Sequence, residues 1–303
     1  MNKPLLSICI PTYNRADFLP TCLESIVVQF KDTEVLDKVE IVISDNGSTD
    51  NTEEVVKSFQ KQYPNIFYRK NTINLGYDKN ALELVPFAKG EYCWMLGDDD
   101  ALFEGSLAYV LNILAEHKFG YLLANAWGYD HQLIKPVVSK PNLHISKDQI
   151  FPKLSDFVKS IDNYTNLVGY FGGLSCQIFK RETWLSLSGK DEFVGTQTMH
   201  LYVILKGAKD LPACVVAKPL VKVRADNIRW DSFPGLETVT KRARSTQEGM
   251  LWIFNLYGIK YSKFKLWFSF YWGIVYSFML TWAKKTFLKN QRIKVFLKKL
   301  AGI

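Results

Sequence analysis

An α/β chain organised around a mostly parallel sheet is what this 303-residue sequence predicts. Three observations carry that expectation. Short β-branched and apolar runs alternate with stretches of helical period through residues 1–125, each run ends in a polar loop, and no repeat or low-complexity linker interrupts them. In chain order, Leu5–Ile10 is a strand stopped by Pro11, and Phe18–Phe30 carries a helical apolar stripe. Val39–Ser44 is a β-branched strand, followed by a polar turn and a helix over about 50–63. Ile66–Arg69 reads as a strand, Tyr77–Ala88 as a helix and Tyr92–Leu96 as a strand. Leu102–His117 is again helical and Tyr121–Asn125 extended. Ligands of such sheets sit outside the carboxyl ends of the strands, so the loops following them are where chemistry is expected.

Three of those loops are informative. The third follows the run Trp94-Met95-Leu96 and reads Gly97-Asp98-Asp99-Asp100. Adjacent carboxylates repel and resist burial, so a strand delivering three to one loop suggests a counter-cation. Oxygen donors of this kind suit Mg²⁺ or Mn²⁺ held by one or two carboxylates plus substrate phosphates. An acidic cap on the following helix is the alternative. The first loop is Pro11-Thr12-Tyr13-Asn14-Arg15 and the second Asp45-Asn46-Gly47-Ser48-Thr49-Asp50. Asp45 could accept an N–H from a pyrimidine on which Tyr13 packs, and the same segment also fits an Asx turn with a helix N-cap.

Length and composition set bounds. The chain is long enough for a large core, and 48% hydrophobic with 14% aromatic residues excludes disorder. The net charge of +8 is unevenly placed. After Glu248 there are ten cations and no acid, which leaves 28 basic and 30 acidic residues before that point. The five cysteines (Cys9, Cys22, Cys93, Cys176 and Cys214) lack metal-type spacing and read as buried free thiols of a reducing compartment. Leu5–Ile10 is too short for a signal peptide, so the cytoplasmic side is expected. No feature of the sequence specifies an oligomer.

These motifs resemble, in order and spacing, those of family 2 glycosyltransferases: the Pro11–Arg15 and Asp45–Asp50 loops, Asn74-Leu75-Gly76 with Asn80-Ala81, and the triplet Asp98–Asp100. Beyond residue 125, Gly172-Gly173-Leu174-Ser175 followed by Phe179 and Arg181, and Gly195-Thr196 before His200, resemble the abequosyltransferase-like branch of bacterial O-antigen and surface-polysaccharide assembly. The resemblance implies a GT-A fold, a Rossmann-like central sheet flanked by helices, and an inverting, Mg²⁺- or Mn²⁺-dependent transfer of a sugar from a nucleotide-diphosphate donor. It implies a nucleotide-sugar site at Pro11, Thr12, Tyr13, Asn14, Arg15, Asp45, Asn74, Gly76, Asn80, Asp98 and Asp99. Asp98 and Asp100 would frame the metal, with Asp99 near the sugar. The family pattern has an aspartate where this chain has Gly97, so the ligand assignment could move by one residue.

An inverting displacement needs a base for the acceptor hydroxyl. Relatives carry a Glu-Asp pair where this sequence reads Gln197-Thr198-Met199-His200. His200 is the leading substitute, because imidazole titrates near neutrality. Asp191 and Glu192, upstream in a glycine-bounded loop, are the alternatives. Arg224, Asn227, Arg229 and Trp230 form a polar and aromatic cluster that could contact the diphosphate or acceptor, or close a loop.

The expected organisation is a catalytic body over 1–258, with a nucleotide-sugar half (1–125) and an acceptor half (126–258), and a membrane-association tail over 259–303. Leu266–Ala283 holds 18 consecutive uncharged residues rich in Trp, Phe and Tyr, marginal for a span. Thr286–Leu300 interleaves apolar residues with cations, an interfacial pattern that fits the cytoplasmic face of the inner membrane and a lipid-linked oligosaccharide acceptor. Its apolar content fits lipid and not nucleic acid. Part of Met250–Tyr261 instead fits a helix packed on the body. A sugar nucleotidyltransferase is a second function class, although Pro11–Arg15 lacks the glycine-rich phosphate loop it would want. A non-catalytic nucleotide-sugar-binding scaffold is a third.

Overall fold

The computed structural model describes residues 3–161, 171, 173–225 and 251–259. β1 (Leu6–Thr12) and β2 (Val39–Asp45) are buried at every position, which both faces of a covered parallel sheet require. They pair in parallel, with Thr12 opposite Asp45, and β3 (Ile66–Lys70) and β4 (Tyr92–Met95) flank them, also in parallel. The crossovers are α1 (Leu19–Val27), α2 (Thr33–Lys38), α3 (Thr52–Gln60) and α4 (Tyr77–Phe87). The helical stripe read over 18–30 divides into α1 and a 3₁₀ turn, Val28–Lys31. Asp32 then caps the six-residue α2 by accepting the Glu34 amide.

The described residues form one nine-stranded sheet that continues through both expected halves, in the order β3-β2-β1-β4-β8-β6-β9-β5, with β7 also pairing to β9. Its second part contains β5 (Ala101–Leu102), α5 (Ser106–Glu116), β6 (Tyr121–Tyr129), β7 (Gln149–Phe151), α6 (Leu154–Ser160), β8 (Gln177–Lys180), α7 (Arg181–Leu185), α8 (Met199–Ala208) and β9 (Ala213–Arg224). β8 lies antiparallel between β4 and β6, so β6 and its parallel partner β9 point the same way as the first four strands. The carboxyl ends of β1, β2, β4 and β6 therefore share one edge. α8 descends from that edge to the start of β9.

The core runs continuously through both halves and includes Trp94, Trp184, Tyr121, Phe171 and Phe179. All five cysteines are buried free thiols, as their scatter implied. Residues 251–257 are helical and dock on α8: the Tyr257 hydroxyl donates to the Leu205 carbonyl at 2.8 Å, and Trp252 sets its ring edge on Phe193. That bears out the packed reading of part of Met250–Tyr261. Residues 260–303, where most of the expected tail falls, lie outside the described residues, as do Asn227, Arg229 and Trp230. Among the described residues no helix is long and apolar enough to cross a membrane.

Candidate active site

The loops after β1 and β2 are stitched together. Successive backbone amides of Asn14, Arg15 and Ala16 donate to Ser48 Oγ (2.8 Å), Thr52 Oγ1 (3.1 Å) and Asp50 Oδ2 (3.1 Å). Asn14 makes this possible by adopting φ 52°, a left-handed conformation that asparagine tolerates, and its Oδ1 accepts the Thr49 amide. Pro11 and Thr12 end β1 in the interior, while Tyr13 is 41% exposed and presents its ring to solvent beside them.

Asp45, expected at the nucleobase, is tied into the loops through both oxygens. It is fully buried, its Oδ1 accepts the Ser48 amide at 2.8 Å, and its Oδ2 accepts the Tyr68 hydroxyl at 2.6 Å. Asn80 is likewise spent internally, donating to the Ser44 carbonyl and accepting from Ser44 Oγ and Asn71 Nδ2. Both brace the loops at this edge of the sheet. Asn74 and Gly76 remain exposed, with Asn74 Oδ1 accepting from Asn46 Nδ2 and from the Gly76 amide. Burial of paired amides of this kind fixes a loop because an unpaired group there costs about 1–3 kcal/mol.

The aspartate triplet stands at the end of β4, in the middle of the sheet edge. Asp98 and Asp100 are buried and Asp99 is half-buried. Burial, with the Asp99 charge next to them, pushes the carboxyls of Asp98 and Asp100 well above their ordinary range. Asp100 is anchored on both oxygens, by the Ser175 hydroxyl and by the Arg224 amide at 3.0 Å. Asp98 and Asp99 face Arg15, whose guanidinium lies 3.6 Å from one and 3.8 Å from the other. Arg224 closes the other side, donating through Nε to the Asp99 carbonyl at 2.7 Å and through its guanidinium to the His131 carbonyl. Phe18 lies between the two arginines, 5.3 Å from one and 5.0 Å from the other, so cation–π contact holds both beside the triplet. Arg224 thus belongs to the site, and Phe18 was not anticipated.

Gly97 explains itself here. A Cβ at that position would lie 3.0 Å from Asp99 Oδ1, 3.1 Å from Asp100 Oδ2 and 3.3 Å from Ser175 Oγ. Ser175 Oγ also accepts the Gly97 amide, so a side chain here would push against groups that this hydrogen bond holds in place. The residues fit a divalent cation: carboxyls raised by burial and mutual repulsion are short of positive charge, and hard oxygen donors are what Mg²⁺ and Mn²⁺ take. Among the described residues no cluster of three or more His, Cys, Asp or Glu forms an all-protein metal cage. Holding by one or two carboxylates plus substrate phosphates is consistent with that.

The three residues expected as the base are placed unfavourably. His200 sits in the first turn of α8, 5% exposed, with Nδ1 3.0 Å from the Tyr77 hydroxyl and its ring edge-on to Tyr77. Burial drives its imidazole down to about 3, and so weak a base is of little use near neutral pH. Asp191 and Glu192 are exposed on a 3₁₀ turn, Lys190–Phe193. Asp191 lines a surface cavity of about 600 Å³ with Arg69, Pro86 and Phe87, at the far end of α4 from the sheet edge that carries the triplet. A second cavity, of about 1630 Å³, is also remote, at the amino ends of the strands between Val39, Phe67, Phe87 and Lys89.

The profile of glycosyl transferase family 2 matches residues 7–182. Two curated relatives are the abequosyltransferase RfbV of Salmonella typhimurium and the GalNAc(5)-diNAcBac-PP-undecaprenol beta-1,3-glucosyltransferase of Campylobacter jejuni. The first is 38% identical over 76% of this chain and 68% of its own. The second is 31% identical over 64% of this chain and 57% of its own. Among solved structures, S. aureus TarS 1-349 in complex with UDP-GlcNAc superposes with a TM-score of 0.60 at 16% identity, over 82% of this chain and 66% of that one, just under two thirds of its length. The mannosyltransferase PcManGT from Pyrobaculum calidifontis, in complex with GDP-Man and Mn²⁺, gives 0.51 at 17% identity, covering 100% of this chain and 81% of that one. The chain is a glycosyltransferase of the GT-A fold and belongs to glycosyl transferase family 2.

Proposed function

We propose that this enzyme transfers a sugar, with inversion, from a nucleoside-diphosphate donor to a lipid-linked saccharide in bacterial O-antigen or related surface-polysaccharide assembly. The observation that carries the reading is the triplet Asp98–Asp100, set at the sheet edge between two arginines that share Phe18. Asp98 and Asp99, in place of the Asp98 and Asp100 pair expected from the sequence, would hold Mg²⁺ or Mn²⁺, because Ser175 and Arg224 brace both oxygens of Asp100. When bound, the ion supplies Lewis-acid neutralisation of the departing diphosphate. Arg15 adds a second positive charge at that leaving group, and one of its buried nitrogens, Nη1, has no hydrogen-bond partner within the protein. Tyr13 offers its exposed ring to the base, while Asn74 and Gly76 line the other wall. Carboxylate charge beside the anomeric carbon favours its oxocarbenium character.

The relatives' names support this choice of substrates, since one is an abequosyltransferase and another acts on a PP-undecaprenol-linked saccharide. So does the bound GDP-Man and Mn²⁺ of the archaeal mannosyltransferase. We assign residues 1–258 to the catalytic body, nucleotide half first, and 259–303 to attachment on the cytoplasmic membrane face, because the acid-free aromatic and basic composition suits an anionic lipid surface. The test is a panel of nucleotide sugars with Mn²⁺, read by thermal shift and product formation, on wild type and the Asp98→Ala, Asp99→Ala double variant. Wild type should be stabilised and active with one donor, and the double variant should lose both while staying folded. Full activity in the variant refutes the metal assignment.

A further inference from the structure

The hairpin that follows β6 carries apolar side chains out into solvent. It turns at Asp130–Leu133 and runs back beside β6. The Asp130 amide donates to the Lys135 carbonyl at 2.8 Å, the Val137 amide to the Gly128 carbonyl at 2.9 Å and the Asn142 amide to the Ala126 carbonyl at 2.8 Å. Leu133, at φ 59°, is buried against Ala101 and Tyr129, which fixes the turn. Trp127 Nε1 pins the returning segment by donating to the Val138 carbonyl at 2.9 Å. On this held backbone, Ile134 is 70% exposed, the highest value of any large apolar side chain among the described residues. Val137 at 53% and Val138 at 47% follow it closely. Single apolar residues scattered over a surface are ordinary, whereas a group on one fixed hairpin marks a contact.

The charges among these residues have one sign. From His131 to Lys147 there is no acid, and the exposed Lys135 and Lys140 bracket the two valines. Lys222 of β9 adds a cation 5.1 Å from the ring of Tyr129, the residue that pairs with Pro136 of the hairpin. The acids that bound the segment are turned onto backbone: Asp130 Oδ1 accepts the Ile134 amide and Asp148 Oδ1 the Ala217 amide, each at 2.8 Å.

The hairpin also adjoins the candidate active site. At its turn, the His131 carbonyl accepts from the Arg224 guanidinium, and the His131 ring meets Phe18 edge-on at 5.6 Å. Arg224 in turn donates to the Asp99 carbonyl. His131 therefore joins the apolar turn to the side chains that flank the triplet.

We propose that this hairpin is a membrane contact of the catalytic body. Ile134, Val137 and Val138 enter the headgroup region of an anionic bilayer, and Lys135 and Lys140 pair with its lipid phosphates. Apolar insertion beside cations is the combination an anionic interface takes up. So small a patch turns the active-site edge toward the lipid, while holding the protein there stays with the tail. The purpose of the contact rests on the lipid-linked acceptor of the reading above, because a substrate confined to the bilayer surface is reached by an edge set against that surface.

The test uses the full chain and one reporter at a time. The five native cysteines are buried, so an environment-sensitive maleimide dye on Val137→Cys reports from the hairpin. Ile150→Cys is the control. Ile150 is 58% exposed but pairs with Cys214 near the start of β9, at the opposite edge of the sheet. With vesicles containing phosphatidylglycerol, the dye at 137 should brighten and shift to the blue, and the dye at 150 should not. In the unlabelled chain, Lys135→Ala and Lys140→Ala should each weaken binding to those vesicles about 5-fold, the worth of one cation at such a surface, with melting temperature unchanged. No shift at 137, equal shifts at both positions, an equal shift on phosphatidylcholine alone, or unchanged binding in both lysine variants overturns the proposal. So does a shift at 137 that grows with protein concentration in the absence of vesicles, because a second copy would then be the occupant. A chain that floats with the vesicles while the dye at 137 stays unshifted removes the hairpin contact and leaves the glycosyl-transfer reading standing. That reading fails separately, if the wild type turns over no donor.

Discussion

His200 offers a stability test that needs no substrate. Its ring is buried against Tyr77 and held neutral, with its protonation driven down to about 3 by burial alone. In the unfolded chain the same imidazole titrates near 6.5. Because the folded value is the lower one, the unfolded state binds the extra proton between those limits. Stability therefore rises with pH across that window and is lost as pH falls through it. The full contribution is present above about pH 7. Each unit below about 6 removes about 1.4 kcal/mol, so the loss by pH 5 is about 2 kcal/mol. For a chain of this size that is a fall of about 4–8 °C in melting temperature. His200→Gln keeps a polar partner for the Tyr77 hydroxyl and removes the titration. Wild type and variant should be melted, or unfolded in urea, from pH 5 to 8. The difference between them should change by about 2 kcal/mol over that range, whatever its value at pH 8. Parallel curves would refute the buried neutral imidazole.

Three further outcomes follow from the site and the tail. Asp100→Asn should retain more Mn²⁺-dependent nucleotide binding than Asp98→Asn or Asp99→Asn by thermal shift, because Asp100 is anchored by Ser175 and Arg224 while the other two face Arg15. Gly97→Ala should destabilise by about 1–3 kcal/mol through overpacking and weaken the same Mn²⁺ response, since its Cβ would press on Asp99 and Asp100. Ending the chain at residue 260 should give a protein that binds donor normally, releases from anionic vesicles in a flotation assay, and works poorly on lipid-linked acceptor. Vesicle binding equal to that of the full chain would refute attachment through the tail.

The fold was legible where its elements are long or buried on both faces. Leu6–Thr12 and Val39–Asp45 are continuous apolar runs because neighbouring strands and helices cover them, and continuous runs are what a reader of sequence can see. The two-residue β5 and six-residue α2 offered too little period to register, and β8 and β9 are placed by pairing with strands far away in the chain. That the informative loops meet was legible for a general reason, because loops after parallel strands gather on one edge. The burial of His200 had a signal in the sequence, because it is embedded in Met199-His200-Leu201-Tyr202-Val203-Ile204-Leu205, a nearly unbroken apolar run.

What the sequence could not supply is the count of lone pairs already in use. Asp45, Asp78 and Asp98 are one residue type on one edge of one sheet, and their tasks differ by partners alone. Asp45 spends both oxygens on Ser48 and Tyr68, which makes it a brace. Asp98 is crowded by Asp99 and only partly compensated by Arg15, which leaves it short of positive charge. Asp78 spends one oxygen on amides 117 and 119 residues away and keeps the other unpaired in the interior. No local spacing encodes a partner at that separation. A motif therefore marks the carboxylates at the edge, and the long-range closure of α4 onto the α8 loop decides which oxygens of Asp78 are paired.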